Sequence, residues 1–355
     1  DALTPALAGA TQAQSLALLQ GLVAEDGMAL WLITHDLAVV AGIATHVAVM
    51  RDGRVVESDA TERLFRSRAH PYTAKLFADS GHVPRRDAQA REAPVLEVRG
   101  AVREYPLARS ALFGPRPVFR AVGRVDLQVR AGESVGLVGE SGCGKSTLTR
   151  AILGLDALQG GSVRLDGDTV DARHLHCAVR RKMQVVFQDP YGSFNPRHRV
   201  DRLVAEPFHL DPVAADERRD RVALALQAVG LKPGDAGKYI HEFSGGQRQR
   251  IAIARAIVIR PKLVILDEAV SALDVSIRAR ILDLLADLQG RFGLSYLFIS
   301  HDLSVVRAIT DRVLVMRAGR IVEEGRTERV FAAPAHDYTK TLIAATPRIP
   351  QAWVA

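Results

Sequence analysis

ESVGLVGESGCGKST, residues Glu133 to Thr147, joins a short apolar run to a glycine-rich turn that closes on Lys145, Ser146 and Thr147. The apolar half reads as a buried strand, and the residues from Lys145 onward read as a helix. Between them, Gly139 to Thr147 satisfies G-x-x-x-x-G-K-[ST], and it sits where that pattern has a physical meaning, after a strand and at a helix start. Gly139, Gly142 and Gly144 let the backbone amides of this turn, with those of Ser141, Cys143 and Thr147, converge on phosphate oxygens. The helix N-terminus adds partial positive charge. Lys145 supplies a point charge to the outer phosphates, and Ser146 offers a hydroxyl to Mg²⁺. Cys143 reads as a small filler rather than as a reactive thiol.

The same strand-then-polar arrangement recurs downstream. LVILDE (Leu263–Glu268) is four apolar residues followed by two carboxylates. Asp267 is placed to hold Mg²⁺ through water, and Glu268 to orient an attacking water, since phosphoryl transfer needs a positioned nucleophile. MQVVFQD, KLVILDE and SYLFIS read as buried strands, and a helix is expected over 275–290. VLEVRGAV and VFRAVGRVDLQVR also read as strands. VLVMRAGRIVEEG reads as a hairpin around Ala318 and Gly319. Between Val200 and Ile259 the periodicity is helical. An α/β core with a helical insert follows.

An internal repeat organises the chain. WLITHDLAVVAGIATHVAVMRDGRVVESDATERLF (Trp31–Phe65) resembles LFISHDLSVVRAITDRVLVMRAGRIVEEGRTERVF (Leu297–Phe331) without a gap, and His301 lies 266 residues after His35. The match continues through AHPYT and AHDYT, with about half the positions identical, which marks a true repeat. Residues 1–79 therefore correspond to the last third of a domain whose whole copy spans 95–346. Residues 80–94 read as a polar linker and 347–355 as a tail. The chain starts at Asp1 and reads as a fragment. The apolar stretch Met28–Met50 is interrupted by His35, Asp36 and His46, so it is expected to form strand and helix in a core, not a membrane span.

Composition narrows the setting. Two cysteines, Cys143 and Cys177, cannot form a disulfide framework or a four-thiolate cluster, which fits a reducing compartment. There is no signal-peptide pattern. The net charge of +7 is compatible with an anionic partner, but an Arg-rich solvated surface explains it more simply.

FSGGQRQR (Phe243–Arg250) narrows the reading further, because it resembles the signature of ATP-binding cassette (ABC) ATPases. The resemblance covers residues 95–346, with the last third of the family fold again in 1–79. It implies a P-loop NTPase core with an antiparallel β subdomain and a helical signature subdomain at about 190–258. It implies ATP and Mg²⁺ as ligands. In the family, Ser244, Gly245, Gly246 and Gln247 close on the γ-phosphate of a head-to-tail partner cassette. Gln188 in VVFQDP resembles the Q-loop glutamine, which senses nucleotide and metal and touches the membrane subunit. SALD (271–274) resembles the D-loop, and His301 the switch histidine. Tyr105 resembles the aromatic that stacks on adenine. It lies 40 residues before Lys145 because ARSALFGPRPV intervenes, so an edge-strand aromatic stays an alternative.

QDPYGSFNPR, the inserted ALFG and the terminal AH-x-YT resemble the oligopeptide, dipeptide, nickel and glutathione importer ATPases. Two copies in one chain resemble the fused type. Many relatives carry a C-terminal cysteine cluster that this sequence lacks, so no iron–sulfur site is expected. The resemblance implies two membrane permeases, an indirect solute-binding protein, no nucleic acid, and a peripheral place on the cytoplasmic side of the membrane. A soluble ABC ATPase acting on ribosomes or DNA is the alternative. The linker of about fifteen residues, and the lack of a heptad run between Lys145 and the signature, speak against it. Run back to the start, the repeat puts Ala2 opposite Glu268 and Ala8 opposite Asp274. Either the first copy lacks its catalytic carboxylate or the alignment ends there.

Overall fold

The computed structural model describes residues 9–86, 91–108, 116–271 and 273–354. The described residues begin with α1 (Gly9–Asp26), α2 (Leu37–Ile43), β1 (His46–Arg51), β2 (Arg54–Ala60), α3 (Thr61–Ser67) and α4 (Pro71–Ser80). There follow β3 (Pro94–Pro106), β4 (Val118–Arg130), β5 (Ser134–Val138), α5 (Lys145–Ile152), β6 (Gly160–Leu165), β7 (Asp168–Thr169), α6 (Cys177–Arg181) and β8 (Met183–Val186). The helical insert holds α7 (Val200–Val204), α8 (Ala215–Ala228) and α9 (Gly245–Ile257). The chain then runs through β9 (Leu263–Asp267), α10 (Val275–Phe292), β10 (Ser295–Ile299), α11 (Leu303–Ile309), β11 (Arg312–Arg317), β12 (Arg320–Arg326), α12 (Thr327–Ala332), α13 (Asp337–Ala344) and α14 (Gln351–Val354).

A six-stranded sheet in the order β12-β11-β5-β10-β9-β8 forms the centre, parallel except for the edge pair β11–β12. Its central strands β5, β9 and β10 are apolar on both faces because both are covered. Tyr296 and Phe298 of β10, with Val264 and Leu266 of β9, enter a core shared with the helical insert. Their neighbours Leu297, Ile299, Leu263 and Ile265 point the other way, into a core shared with the antiparallel sheet β4-β3-β6-β7. The two-residue side-chain period of a strand divides one apolar run between two cores.

The repeat is structural as well as sequential. The β1–β2 hairpin pairs His46 with Ala60 and carries a bulge at Val49/Met50; β11–β12 pairs Arg312 with Arg326 and carries its bulge at Val315/Met316. Asp36 caps α2 by accepting from the Ala38 and Val39 amides, as Asp302 caps α11 through Ser304 and Val305. Glu57 accepts from the amides of Ala69 and His70, and Glu323 from those of Ala335 and His336.

The repeat has one structural gap. Residues 28–33 form no strand, although their counterpart in the second copy is β10. Trp31 is 84% exposed and Ile33 62%. β10 is held between β5 and β9, and the described residues contain no second pair of neighbours to hold 28–33. A parallel strand has no hydrogen bonds of its own to fold around. The other half of the stretch does form α2 and β1.

Residues 80–86 are docked, not loose. The Arg86 guanidinium donates to Asp311 at 2.8 Å and to Gln289 at 3.3 Å, and His82 pairs with Asp283 at 2.6 Å. The tail returns to the first half, where Trp353 meets Phe65 edge to face at 5.7 Å. Ala2 and Ala8, with most of the ARSALFGPRPV insert, lie outside the described residues.

Candidate functional site

The sheet order brings three loops together. β10 lies between β5 and β9, so the turn after β5, the carboxylates ending β9 and the residue after β10 open side by side at the carboxyl ends of parallel strands. Open α/β sheets place ligands there. The cleft is lined by Ser141, Gly142, Gly144, Lys145, Ser146, Thr147, Asp267, Glu268 and His301, with Tyr105, Phe119 and Ala121 along the wall from the antiparallel sheet.

The glycines of the turn have separate causes. An alanine Cβ at Gly139 would lie 2.2 Å from the Met316 carbonyl oxygen, and one at Gly144 2.3 Å from that of Ala121. Gly142 has open space but a φ of 78°. The turn is thus pressed between β11 and β4, and its hairpin support is explicit: the Gly319 amide donates to the Cys143 carbonyl at 2.8 Å. No side chain caps the N-terminus of α5, so its first amides are available to an anion. Lys145 is buried, with Nζ donating to the Gly139 and Glu140 carbonyls at 2.7 and 2.9 Å. Cys143 is buried beneath the loop, and burial pushes its thiol pKa up.

The carboxylates differ in state. Burial, reinforced by Glu268, pushes Asp267 up to about 6. The hydrogen bond from His301 holds Glu268 below the ordinary carboxylate value, against the opposing effect of burial. His301 Nδ1 lies 3.1 Å from Glu268 Oε1, and that bond raises the imidazole pKa. Glu268 itself has a φ of 52°, an uncommon backbone state for a non-glycine residue. Its amide donates to the Ile299 carbonyl at 2.9 Å, which ties the acidic end of β9 to β10.

The remaining sequence-derived residues lie apart from this group. Gln188 is absent from the cleft lining and donates to Ser271 Oγ at 3.4 Å; Ser271 in turn donates to the Glu268 carbonyl at 2.9 Å. Ser244 to Gln247 also lie outside the cleft lining. They begin α9 in a capping box, with the Ser244 amide donating to Gln247 Oε1 at 3.0 Å and the Gln247 amide to Ser244 Oγ at 3.4 Å. Gly246 is packed closely, since a Cβ there would sit 2.6 Å from Ile277. Gly245 is open. Tyr105 reaches the cleft and pairs across β3–β4 with Phe119, which sequence reasoning missed.

Comparison with known proteins fits this geometry. Residues 122–271 match the family described as ABC transporter. Residues 56–106 and 322–354 match the family described as oligopeptide/dipeptide transporter, C-terminal region. The chain belongs to the ABC transporter ATPase family. The two C-terminal-region matches begin 266 residues apart, the spacing of the internal repeat. Among curated relatives, this ABC protein is 45% identical to the peptidoglycan transport ATP-binding protein YejF of Agrobacterium fabrum, over 97% of the chain and 64% of the relative. It is also 45% identical to the glutathione import ATP-binding protein GsiA of Salmonella typhimurium, over 98% of the chain and 60% of the relative. The chain therefore spans less than two thirds of the length of these relatives. Among solved structures, cbiO1 of Clostridium perfringens aligns with a TM-score of 0.58 at 28% identity, covering 68% of this chain and 92% of that one. The cassette MJ0796, solved as a dimer in a post-hydrolysis state bound to ADP and Pi, aligns with a TM-score of 0.57 at 28% identity, covering 65% and 98%. The fold is that of a P-loop ABC ATPase cassette.

Proposed function

We propose that this ABC protein binds Mg·ATP in the cleft and hydrolyses it to drive solute import, with a peptide or glutathione-like compound as cargo. The observation that carries this is the convergence of Lys145, Ser146, Asp267, Glu268 and His301 on one cleft above a glycine turn with uncapped helix amides. The donor set suits the ligand: backbone amides and an ammonium for phosphate oxygens, and a hydroxyl with a carboxylate for a hard cation.

In this reading the amides of the turn and Lys145 grip the β- and γ-phosphates. Ser146 and Asp267 would hold Mg²⁺, with Gln188 a further candidate ligand. When bound, Mg²⁺ neutralises charge on the phosphate oxygens. A cation beside Asp267 favours its ionised form and opposes the burial that raises it. Glu268, whose pKa the His301 hydrogen bond lowers against the effect of burial, polarises the attacking water and takes its proton. His301 would contact the γ-phosphate. Tyr105, with Phe119 beside it, stacks on the adenine.

Ser244 to Gln247 act on a partner cassette in a head-to-tail pair, as the family signature they resemble implies, and their place outside the cleft of their own cassette is compatible with that. Residues 1–79 are the last third of a first cassette and 95–346 a complete second one. Ala2 and Ala8 of the first would make the paired sites unequal. Two permeases and a solute-binding protein complete the importer, with this subunit peripheral on the cytoplasmic side. The names of the curated relatives, which speak of transport and import, support the importer part of this reading. Among the described residues no helix is long and apolar enough to cross a membrane.

The test is binding and turnover of Mg·ATP by purified full-length chain. Glu268→Gln is expected to keep ATP bound and to lower turnover by a factor on the order of 100 or more. Lys145→Ala is expected to weaken binding at least about tenfold, the value of one charge-assisted contact. Unchanged turnover in the first variant, or unchanged affinity in the second, would remove those residues from their assigned roles.

A further inference from the structure

The matched C-terminal region touches the nucleotide loop through one side chain. Tyr338, near the start of α13, is buried, and its hydroxyl accepts a hydrogen bond from the Glu140 amide at 3.0 Å. The Glu140 amide thus has its partner within the protein, and Glu140 does not line the cleft. The carbonyl of the same peptide unit belongs to Gly139 and accepts from Lys145 Nζ at 2.7 Å. One peptide plane is therefore held at both ends. The ammonium that would grip phosphate holds one end, and a phenol from a helix nearly two hundred residues away holds the other.

The phenol is itself well fixed. The Arg317 guanidinium lies 4.9 Å over its ring. The Tyr338 amide donates to His336 Nδ1 at 3.0 Å, and the His336 and Ala335 amides donate to Glu323 of β12. A rigid route runs from the sheet edge through α13 to the turn.

We infer that Tyr338 is a positioning residue for the phosphate loop, and that the C-terminal region acts on nucleotide binding through it. The inference rests on the ATP reading above. Before binding, two anchors fix the Gly139–Glu140 peptide. When Lys145 turns to phosphate it leaves the Gly139 carbonyl, and the Tyr338 hydroxyl becomes the principal anchor. The hydroxyl therefore matters more in the bound state than in the free one, and its loss weakens affinity and not only stability. The first half supplies a matched control. Tyr72 stands at the equivalent position, beneath Arg51 at 5.1 Å, after a His70 and Glu57 arrangement of the same kind.

The experiment is titration of full-length chain with Mg·ATP for wild type, Tyr338→Phe, Tyr72→Phe and Lys145→Ala. Phenylalanine keeps the ring and its arginine contact and removes only the acceptor. Tyr338→Phe is expected to lose about fivefold in affinity, the effect of one neutral hydrogen bond, while Tyr72→Phe stays within twofold. Tyr338→Phe within twofold of wild type, or an equal loss in Tyr72→Phe, would overturn the inference while leaving the ATP reading intact. No binding by wild type, or no effect of Lys145→Ala, would overturn both. Hydrogen exchange of the Glu140 amide in wild type needs no variant. Protection that persists or rises with Mg·ATP supports the anchor, and protection lost on binding overturns it.

Discussion

Replacing Gly144 with alanine tests the account of the loop most directly. Gly144 has a φ of 111°, and an added Cβ would stand 2.3 Å from the Ala121 carbonyl oxygen and 2.9 Å from Met316 Cε. Met316 can turn away; the Ala121 carbonyl belongs to β4 and cannot. Ordinary carbon–oxygen contacts begin near ~3.3 Å, so loop and strand must separate by about 1 Å. The positive φ adds about 1–2 kcal/mol for any side chain. Gly142, at φ 78° with nothing near its missing Cβ, carries only the second penalty. Gly144→Ala should therefore lower the melting temperature by roughly 5 °C or more, at 2–4 °C per kcal/mol, and Gly142→Ala by about half that. A displacement of about 1 Å in a ligand cradle should also weaken Mg·ATP by a factor of about 100. Calorimetry of the three proteins, with titration of a fluorescent ATP analogue, measures both effects. Gly144→Ala melting within about 1 °C of wild type, or Gly142→Ala proving the more damaged, would refute the packing argument.

The Glu268–His301 contact carries a pH signature. A lowered carboxylate pKa contributes stability above the ordinary value of 4.5 and loses it as pH falls through the lowered value. A raised imidazole pKa contributes below the ordinary 6.5 and loses it as pH rises through the raised value. The melting difference between wild type and His301→Ala should therefore be widest between pH 4.5 and 6.5, at about 1 kcal/mol, and should shrink above neutrality; a difference that grows with alkalinity would contradict the pairing. Arg312 holds Glu133, whose side chain is 4% exposed, with Nε at 2.9 Å from the carboxylate, and also pairs with Glu324. Arg312→Leu strands that buried charge and should destabilise by about 3–5 kcal/mol, with partial recovery in Arg312→Leu/Glu133→Leu. A chemical-denaturation loss under about 1 kcal/mol would show that water already reaches Glu133.

What the sequence revealed, and what it hid, follows from the range of the interactions. The turn from Gly139 to Thr147, the carboxylates ending β9 and the helix start at Ser244 are local patterns, and each lies in the element its letters imply. The helix and strand expected within Met28–Met50 are α2 and β1, but which residues of the stretch form them was not legible, because an apolar run carries no record of whether it has neighbours. The contact of Tyr338 with Glu140 spans 198 residues, and no periodicity reports it. Phe119 reaches the cleft because β3 and β4 pair Tyr105 with it across the insert, in a register broken by several shifts. Only that pairing, once known, would have pointed to it. The docking of Arg86 on Asp311 and Gln289 was hidden because charged, proline-flanked segments read as solvated whether or not a buried partner awaits them.

The duplicated hairpin gives this polypeptide an experimental reference of its own. Glu57 and Glu323 hold the same pair of amides in the same register, yet in the described residues only the second stands beneath a nucleotide loop. Changing each to glutamine in turn imposes one chemical insult on two copies of one scaffold. Whatever both variants suffer measures the scaffold, and whatever only Glu323→Gln suffers measures its service to the loop.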